Sequence, residues 1–208
     1  MDFKRFNTLP SFGTNTYLVW DKESREAILI DPGAESAKII DYADTNSLKV
    51  IAIVNTHGHA DHIGGNRYFQ KKWNIPIWIH KADADKLTNP QLNLSSFMGT
   101  EITSPAAERL LTGGDKIKLG RKEIDVIYTP GHTIGGICLH YSILLFSGDT
   151  LFQGSVGRTD FPDGNYALLE KSIREKLYQL PDETLVLPGH TEETRIGIEK
   201  RENPFVRM

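Results

Sequence analysis

The sequence predicts an α/β protein built on two covered sheets, and three observations carry that expectation. Strand-like and helix-like segments alternate through the first half, strand-like segments then cluster, and a helix and a strand return near the end. The strand-like segments are short apolar runs bounded by turn residues, and some lack polar alternation, as strands covered on both faces require. Length agrees: 208 residues favour one large domain, able to bury roughly 70% of the surface its unfolded chain exposes.

Thr16 to Trp20 and Ala27 to Ile30 predict strands, the second halted by the turn Asp31-Pro32-Gly33. Ala37, Ile39, Ile40 and Ala43 recur at helical spacing, which predicts a helix over 35–45. Val50 to Val54 is apolar throughout and suits a strand with two buried faces. Residues 63–73 read as helix, 75–79 as strand and 81–87 as helix again. The irregular stretch 88–105 holds Leu92, Leu94, Phe97 and Met98. It reads either as a surface loop with a few packed side chains or as a lid or dimer contact. Strands follow over 116–119, 123–128, 137–141 and 144–146. Leu168, Leu169, Ile173 and Leu177 predict a helix over 166–180, closed by Pro181, and Leu185 to Leu187 is a last strand before a polar tail.

Composition excludes several classes. Hydrophobic residues at 39% and charged residues at 25% do not describe a disordered, fibrous or membrane protein. A net charge of −3 without a basic stripe offers nothing to neutralise nucleic-acid phosphates. The single cysteine, Cys138, cannot form an intramolecular disulfide; with His140 it shares one strand face, where packing is the expected role. His80 is expected in an exposed turn. No apolar signal region and no window of ~18 apolar residues appear, so the expectation is a soluble cytoplasmic protein with no membrane partner.

Three of the seven histidines lie within His57-Gly58-His59-Ala60-Asp61-His62. In an extended segment residues two apart face the same way, so His57 and His59 can face one ion. Asp61 and His62 fall where the chain turns into a helix, and their side chains leave in another direction. Two ligand pairs separated by a turn suit two adjacent ions better than one. Thr129-Pro-Gly-His132, Ser147-Gly-Asp149 and Leu187-Pro-Gly-His190 each directly follow a predicted strand, as does His57 after Asn55-Thr56. Ligands gathered at strand ends are the habit of α/β proteins. The set predicts a metal site.

These residues resemble the metallo-β-lactamase-fold hydrolases, and within them the short single-domain form of the glyoxalase II (hydroxyacylglutathione hydrolase) group. The resemblance runs from Thr16 to Asn203-Pro204-Phe205, a tail that reads as C-terminal docking. It implies a four-layer αβ/βα sandwich forming one domain over 1–208, without the C-terminal helical domain of full-length glyoxalase II. It also implies that His57, His59 and His132 hold a first metal, that Asp61, His62 and His190 hold a second, and that Asp149 bridges them. The cofactors would be two divalent ions: zinc first, with iron or manganese as alternatives. Five neutral imidazoles, two carboxylates, two such ions and a bridging hydroxide sum to a charge of about +1, leaving the site electrophilic. That hydroxide would attack a thioester or ester carbonyl of a small-molecule substrate, oriented by Asp61 as the catalytic residue. A thiolate leaving group, with a thiol pKa of about 8.5, needs no dedicated general acid. Superfamily members that act as β-lactamases usually lack the bridging aspartate, so Asp149 speaks against β-lactams.

Departures from the glyoxalase II pattern concern glutathione. Where those enzymes typically read Gly-Lys/Arg-Phe-Tyr, this chain reads Gly157-Arg158-Thr159-Asp160-Phe161. Arg158 is kept as a candidate substrate-binding cation, or else it pairs with a carboxylate such as Asp160. Glu192 stands where a second glutathione-contacting tyrosine usually lies. The Gly-Arg-Thr-Asp-Phe segment also resembles persulfide dioxygenases, which use one iron, and that is the alternative reading. A non-enzymatic metal-binding protein is the third. The sequence gives no indication of oligomeric state.

Overall fold

The computed structural model describes residues 1–207; Met208 and the side chain of Met98 lie outside the described residues. In chain order the first elements are β1 (Asp2–Leu9), β2 (Thr14–Trp20), β3 (Glu26–Ile30), α1 (Ala37–Thr45), β4 (Lys49–Val54), α2 (Ala60–Ile63), α3 (Asn66–Trp73), β5 (Ile77–His80) and β6 (Arg109–Leu111). The second half holds β7 (Lys116–Leu119), β8 (Lys122–Tyr128), β9 (Ile137–Tyr141), β10 (Leu144–Gly148), β11 (Leu151–Phe152), β12 (Ser155–Val156), α4 (Tyr166–Glu175), β13 (Leu185–Pro188), β14 (Thr194–Arg195) and α5 (Ile196–Glu202).

The strands form two six-stranded mixed sheets, ordered β1-β2-β3-β4-β5-β6 and β14-β13-β10-β9-β8-β7, with β11 and β12 paired separately. Alternation along each strand divides its side chains between two cores. In β2 and β3, Tyr17, Val19, Ile28 and Ile30 face the opposite sheet, where they meet Ile124, Leu139, Phe146 and Leu187. Leu18, Trp20, Ala27 and Leu29 point the other way, onto Ile39, Ile40 and Phe69 of α1 and α3. Beyond the second sheet, Cys138, Leu145 and Val186 pack on Leu169 and Ile173 of α4 and Ile196 of α5. The result is four layers, helix on sheet on sheet on helix, as expected. No helix among the described residues is long and apolar enough to cross a membrane.

Several boundaries differ from expectation. The helix expected over 63–73 is observed over Asn66–Trp73, preceded by a short helix Ala60–Ile63; the Gly64-Gly65 turn between them lies so close to the Gly33 and Ala34 carbonyls that a β-carbon would collide there. The first helix begins at Ala37 rather than at residue 35, and β5 begins after Pro76. Residues 81–87 form a 3-10 helix rather than an α-helix, and α4 ends at Glu175, followed by a 3-10 turn over Leu177–Gln179. Strands β1, β6, β11, β12 and β14 and helix α5 were not expected. His80 is not an exposed turn residue: it is buried, stacked on Tyr128 with ring centroids 4.5 Å apart, and its Nδ1 accepts the Ala82 N–H. Cys138 is buried in the core as expected, whereas His140 is half-exposed and binds the Ser142 carbonyl.

Candidate metal centre

Strands β3, β4 and β5 run parallel, as do β10 and β13, and β8 shares the direction of β10 because each is antiparallel to β9. Their carboxyl ends therefore open on one edge. Asp31 follows β3, His57 follows β4, His132 follows β8, Asp149 follows β10, and His190 follows β13. The two sheets are fastened at this edge: Asn15 Nδ2 donates to the carbonyls of Pro188 (3.0 Å) and Thr191 (2.9 Å), and Tyr17 donates its hydroxyl to Pro188 (2.8 Å). Asn15 thereby holds Thr191, a β-branched residue at φ 68°, in a conformation that costs about 1–3 kcal/mol. The glycine of Leu187-Pro-Gly-His190 is equally constrained, since a β-carbon at Gly189 would run into Asp149 and His62.

All seven sequence-predicted ligand residues converge here. Ligand atoms of His57, His59 and His132 lie within 4.8 Å of one another, and so do those of Asp61, His62 and His190. His132 Nε2 stands 2.9 Å from His59 Nδ1, and His62 Nε2 stands 3.3 Å from His190 Nε2. Asp61 Oδ2 is 3.4 Å from His62 and 3.3 Å from His190, and it accepts the Thr14 hydroxyl. Asp149 reaches both groups: Oδ2 is 3.5 Å from His132 and 3.4 Å from His190, and Oδ1 is 3.4 Å from His62. Arg158 sits at the mouth, where its Nε and Nη2 donate to the two oxygens of Asp160 at 2.7 and 2.6 Å.

Hydrogen bonds behind the rings fix which nitrogen faces inward. The Thr56 hydroxyl donates to Asp31 Oδ2 (2.6 Å) and so has only lone pairs left for His57 Nδ1, 3.1 Å away. His57 Nδ1 must carry the proton, which leaves the lone pair on Nε2. His62 Nδ1 faces Asp31, His132 Nδ1 faces the Arg158 carbonyl, and His190 Nδ1 faces the Phe12 carbonyl. Each of these partners only accepts, so each ring presents Nε2 to the centre. Sequence reading took Asp31 for a turn residue and missed this role. Its position at a strand end, like that of the candidate ligands, was the available signal.

Asp31 with His57 and His62 also passes as a trio of ligand types, but its carboxylate is already filled by Thr56 and His62. The other two groups are not filled. Buried His57 Nε2 and Asp149 Oδ1 have no hydrogen-bond partner, and such orphaned groups are costly unless something binds them; His59 turns its Nδ1 toward the cluster, 2.9 Å from His132. Facing imidazole lone pairs and orphaned buried acceptors fit two divalent cations. Charge follows the same division. Burial, aided by neighbouring histidines, holds His57 far below its usual value and His59 at about 3. Burial also opposes protonation of His62 and His190, but the carboxylates of Asp61 and Asp149 overcome it and raise them to about 9 and about 11. Asp149, despite its burial, is held down to about 2 by these histidines.

The chain matches the family model of the metallo-beta-lactamase superfamily over residues 9–190. Among curated relatives it is 37% identical to "Probable metallo-hydrolase YqgX" of Bacillus subtilis (strain 168), over 99% of this chain and 98% of that one. It is also 37% identical to "Hydroxyacylglutathione hydrolase GloC" of Haemophilus influenzae, over 94% of each chain. Among solved structures, BLEG-1, a B3 metallo-beta-lactamase, superposes with a TM-score of 0.93 at 37% identity, covering 99% of both chains. TTHA1623 in a di-iron-bound form gives 0.84 at 35% identity, over 95% of this chain and 98% of that one. With the two-sheet sandwich and the ligand clusters at its strand ends, these likenesses leave one conclusion: the chain belongs to the metallo-β-lactamase superfamily.

Proposed function

We propose that this chain is a dinuclear metallo-hydrolase that cleaves acyl-thioesters, the bond class of S-2-hydroxyacylglutathione. The observation that carries the reading is the pair of inward-facing ligand groups joined by Asp149, in which buried acceptor atoms are left unpartnered. His57, His59 and His132 would hold one ion, Asp61, His62 and His190 the other, and Asp149 both. Such ions supply a water acidic enough to ionise near neutral pH and a Lewis acid for a carbonyl oxygen. The residues supply orientation. Asp61 is aimed by the Thr14 hydroxyl at 3.1 Å and lies beside both His62 and His190, where it can align a nucleophilic water. Among the described residues that line the cleft, no neutral acid stands ready to protonate a leaving group, and a thiolate needs none. The identity with GloC supports a thioester, and the di-iron form of TTHA1623 supports two ions.

β-Lactam hydrolysis is the second reading, favoured by the likeness to BLEG-1. Elemental analysis of protein purified without added metal, run beside assays on S-lactoylglutathione, simple acyl-thioesters and a chromogenic cephalosporin, separates the readings. Two ions per chain and thioester turnover are expected. Faster cephalosporin cleavage would move the chain to the second reading. A single iron with oxygen consumption and sulfite release from a persulfide would replace both with a dioxygenase.

A further inference from the structure

Above the ligand clusters lies a cleft of about 780 Å³, a size that takes a small organic molecule. Half of its lining residues are aromatic or aliphatic, and the polar half consists of five residues of the ligand clusters with Asn93 and Arg158. Phe161 stands edge-on to His59 and Phe152 edge-on to His190, with centroids 5.5 and 5.9 Å apart. Phe12, on the β1–β2 turn, and Leu94 and Phe97, from the stretch 88–105, form the lips. Phe97 is 77% exposed and Phe12 50%, so two large rings lie open to water at one mouth. Single exposed apolar residues are ordinary, but several around one concavity mark a binding groove.

Both lips are anchored to the metal site. The Phe12 carbonyl accepts the Nδ1 proton of His190. On the other side Asn93 is fully buried, its Nδ2 donates to the carbonyls of Lys86 (3.0 Å) and Ile102 (2.8 Å), and its own carbonyl accepts the Ala60 N–H (3.0 Å). Leu94, held next to it at φ 71°, sends the chain out to Phe97. Charge at the mouth is nearly absent. Arg158 is the single Lys or Arg side chain lining the cleft among the described residues, and its guanidinium fork is occupied by Asp160. A bidentate anion such as a substrate carboxylate would have to displace Asp160.

We propose that the cleft selects thioesters whose thiol half is apolar and uncharged, clasped between Phe12 and Phe97, over those of glutathione, a peptide with two carboxylates and an ammonium. This rests on the thioester reading and narrows it. Two esters with one acyl group test it: S-benzyl thioacetate and S-acetylglutathione, assayed on the metal-loaded protein. The benzyl ester should show about tenfold higher kcat/KM. Phe97→Ala and Phe12→Ala should each raise its KM several-fold with kcat little changed, while KM for S-acetylglutathione moves less than twofold. Preference for the glutathione ester, or an unmoved KM in both variants, would overturn the proposal and leave the thioester reading intact. Should no thioester turn over, binding of 4-phenyl-2-butanone, in which CH2 replaces the ester sulfur, still decides by calorimetry. Binding weakened several-fold by Phe97→Ala would sustain the apolar clasp while the thioester reading falls; undetectable binding would end both.

Discussion

The Thr56 hydroxyl has one proton and two neighbours that could use it, and its choice sets the His57 tautomer. Because Asp31 takes the proton at 2.6 Å, His57 must donate from Nδ1 and point its Nε2 lone pair at the centre. Thr56→Val keeps the shape and removes the relay, so first-ion affinity should fall about 10–100-fold, the usual cost of losing such a partner. Thr56→Ser should restore it; chelator competition on both variants measures the difference, and equal affinities would refute the relay. Asp160 makes a second residue-scale case. It pairs with Arg158 and, because of that guanidinium, is held at about 2, so it stays charged throughout the neutral range. Asp160→Asn keeps the size and frees the guanidinium fork. Hydrolysis of S-acetylglutathione should improve several-fold in KM, whereas an unchanged KM would mean that Arg158 does not face the substrate.

At the scale of elements, the 3-10 helix Lys81–Leu87 works as a clamp on two ligand-bearing turns. Buried Asp83 accepts the Gly58 N–H on Oδ2 and the Gly135 N–H on Oδ1, both at 2.9 Å. One carboxylate thus spans the turn holding His57 and His59 and the turn after His132. Asp83→Asn offers one acceptor oxygen where two are needed, so one turn loosens. First-ion affinity should drop about tenfold while the far-ultraviolet spectrum stays native; an unaltered affinity would make Asp83 a packing residue only. Nothing in Lys81-Ala-Asp-Ala-Asp-Lys-Leu87 announces this, because the partners are backbone groups 25 and 52 residues away. The convergence of the seven candidate ligand residues was legible, since short spacing and strand-end turns write them locally. Strand β1 was not: Asp2–Leu9 mixes Phe3 and Phe6 with lysine, arginine and asparagine, as an edge strand with one half-wet face does. Helix α5 was hidden similarly, since a seven-residue helix with two buried side chains, Ile196 and Glu199, gives almost no periodic signal. The stretch 88–105 read first as a surface loop and otherwise as a lid or dimer contact; the buried Asn93 anchor that ties it to Lys86 and Ile102 involves contacts no local pattern reveals.

At the scale of the whole molecule, the apolar layer between the sheets brings two sets of strand ends to one edge, and each set delivers a different electrostatic environment. Strand β4 and strand β8 deliver His57, His59 and His132 with no carboxylate among them but Asp149 at the border. The α2 turn and strand β13 deliver His62 and His190 against Asp61 and Asp149. Metal-free protein therefore treats its two sites differently. In the first, His57 and His59 are held below neutrality by burial and have no proton to lose at pH 7. In the second, carboxylates raise His62 to about 9 and His190 to about 11, so protons stand where the ion would. An ion entering there must expel them, and its affinity rises as pH approaches those values from below. Between about pH 7.5 and 8.5 the second ion's affinity should climb at least tenfold and up to about a hundredfold, the limit for two protons, while the first ion's changes little. Calorimetric titration of chelator-stripped protein, repeated in buffers of different ionisation enthalpy, counts the protons released by each ion. Near two for the weaker site and near zero for the tighter one is the expected result. Equal proton release from both would mean that the carboxylates do not divide the centre as their placement implies.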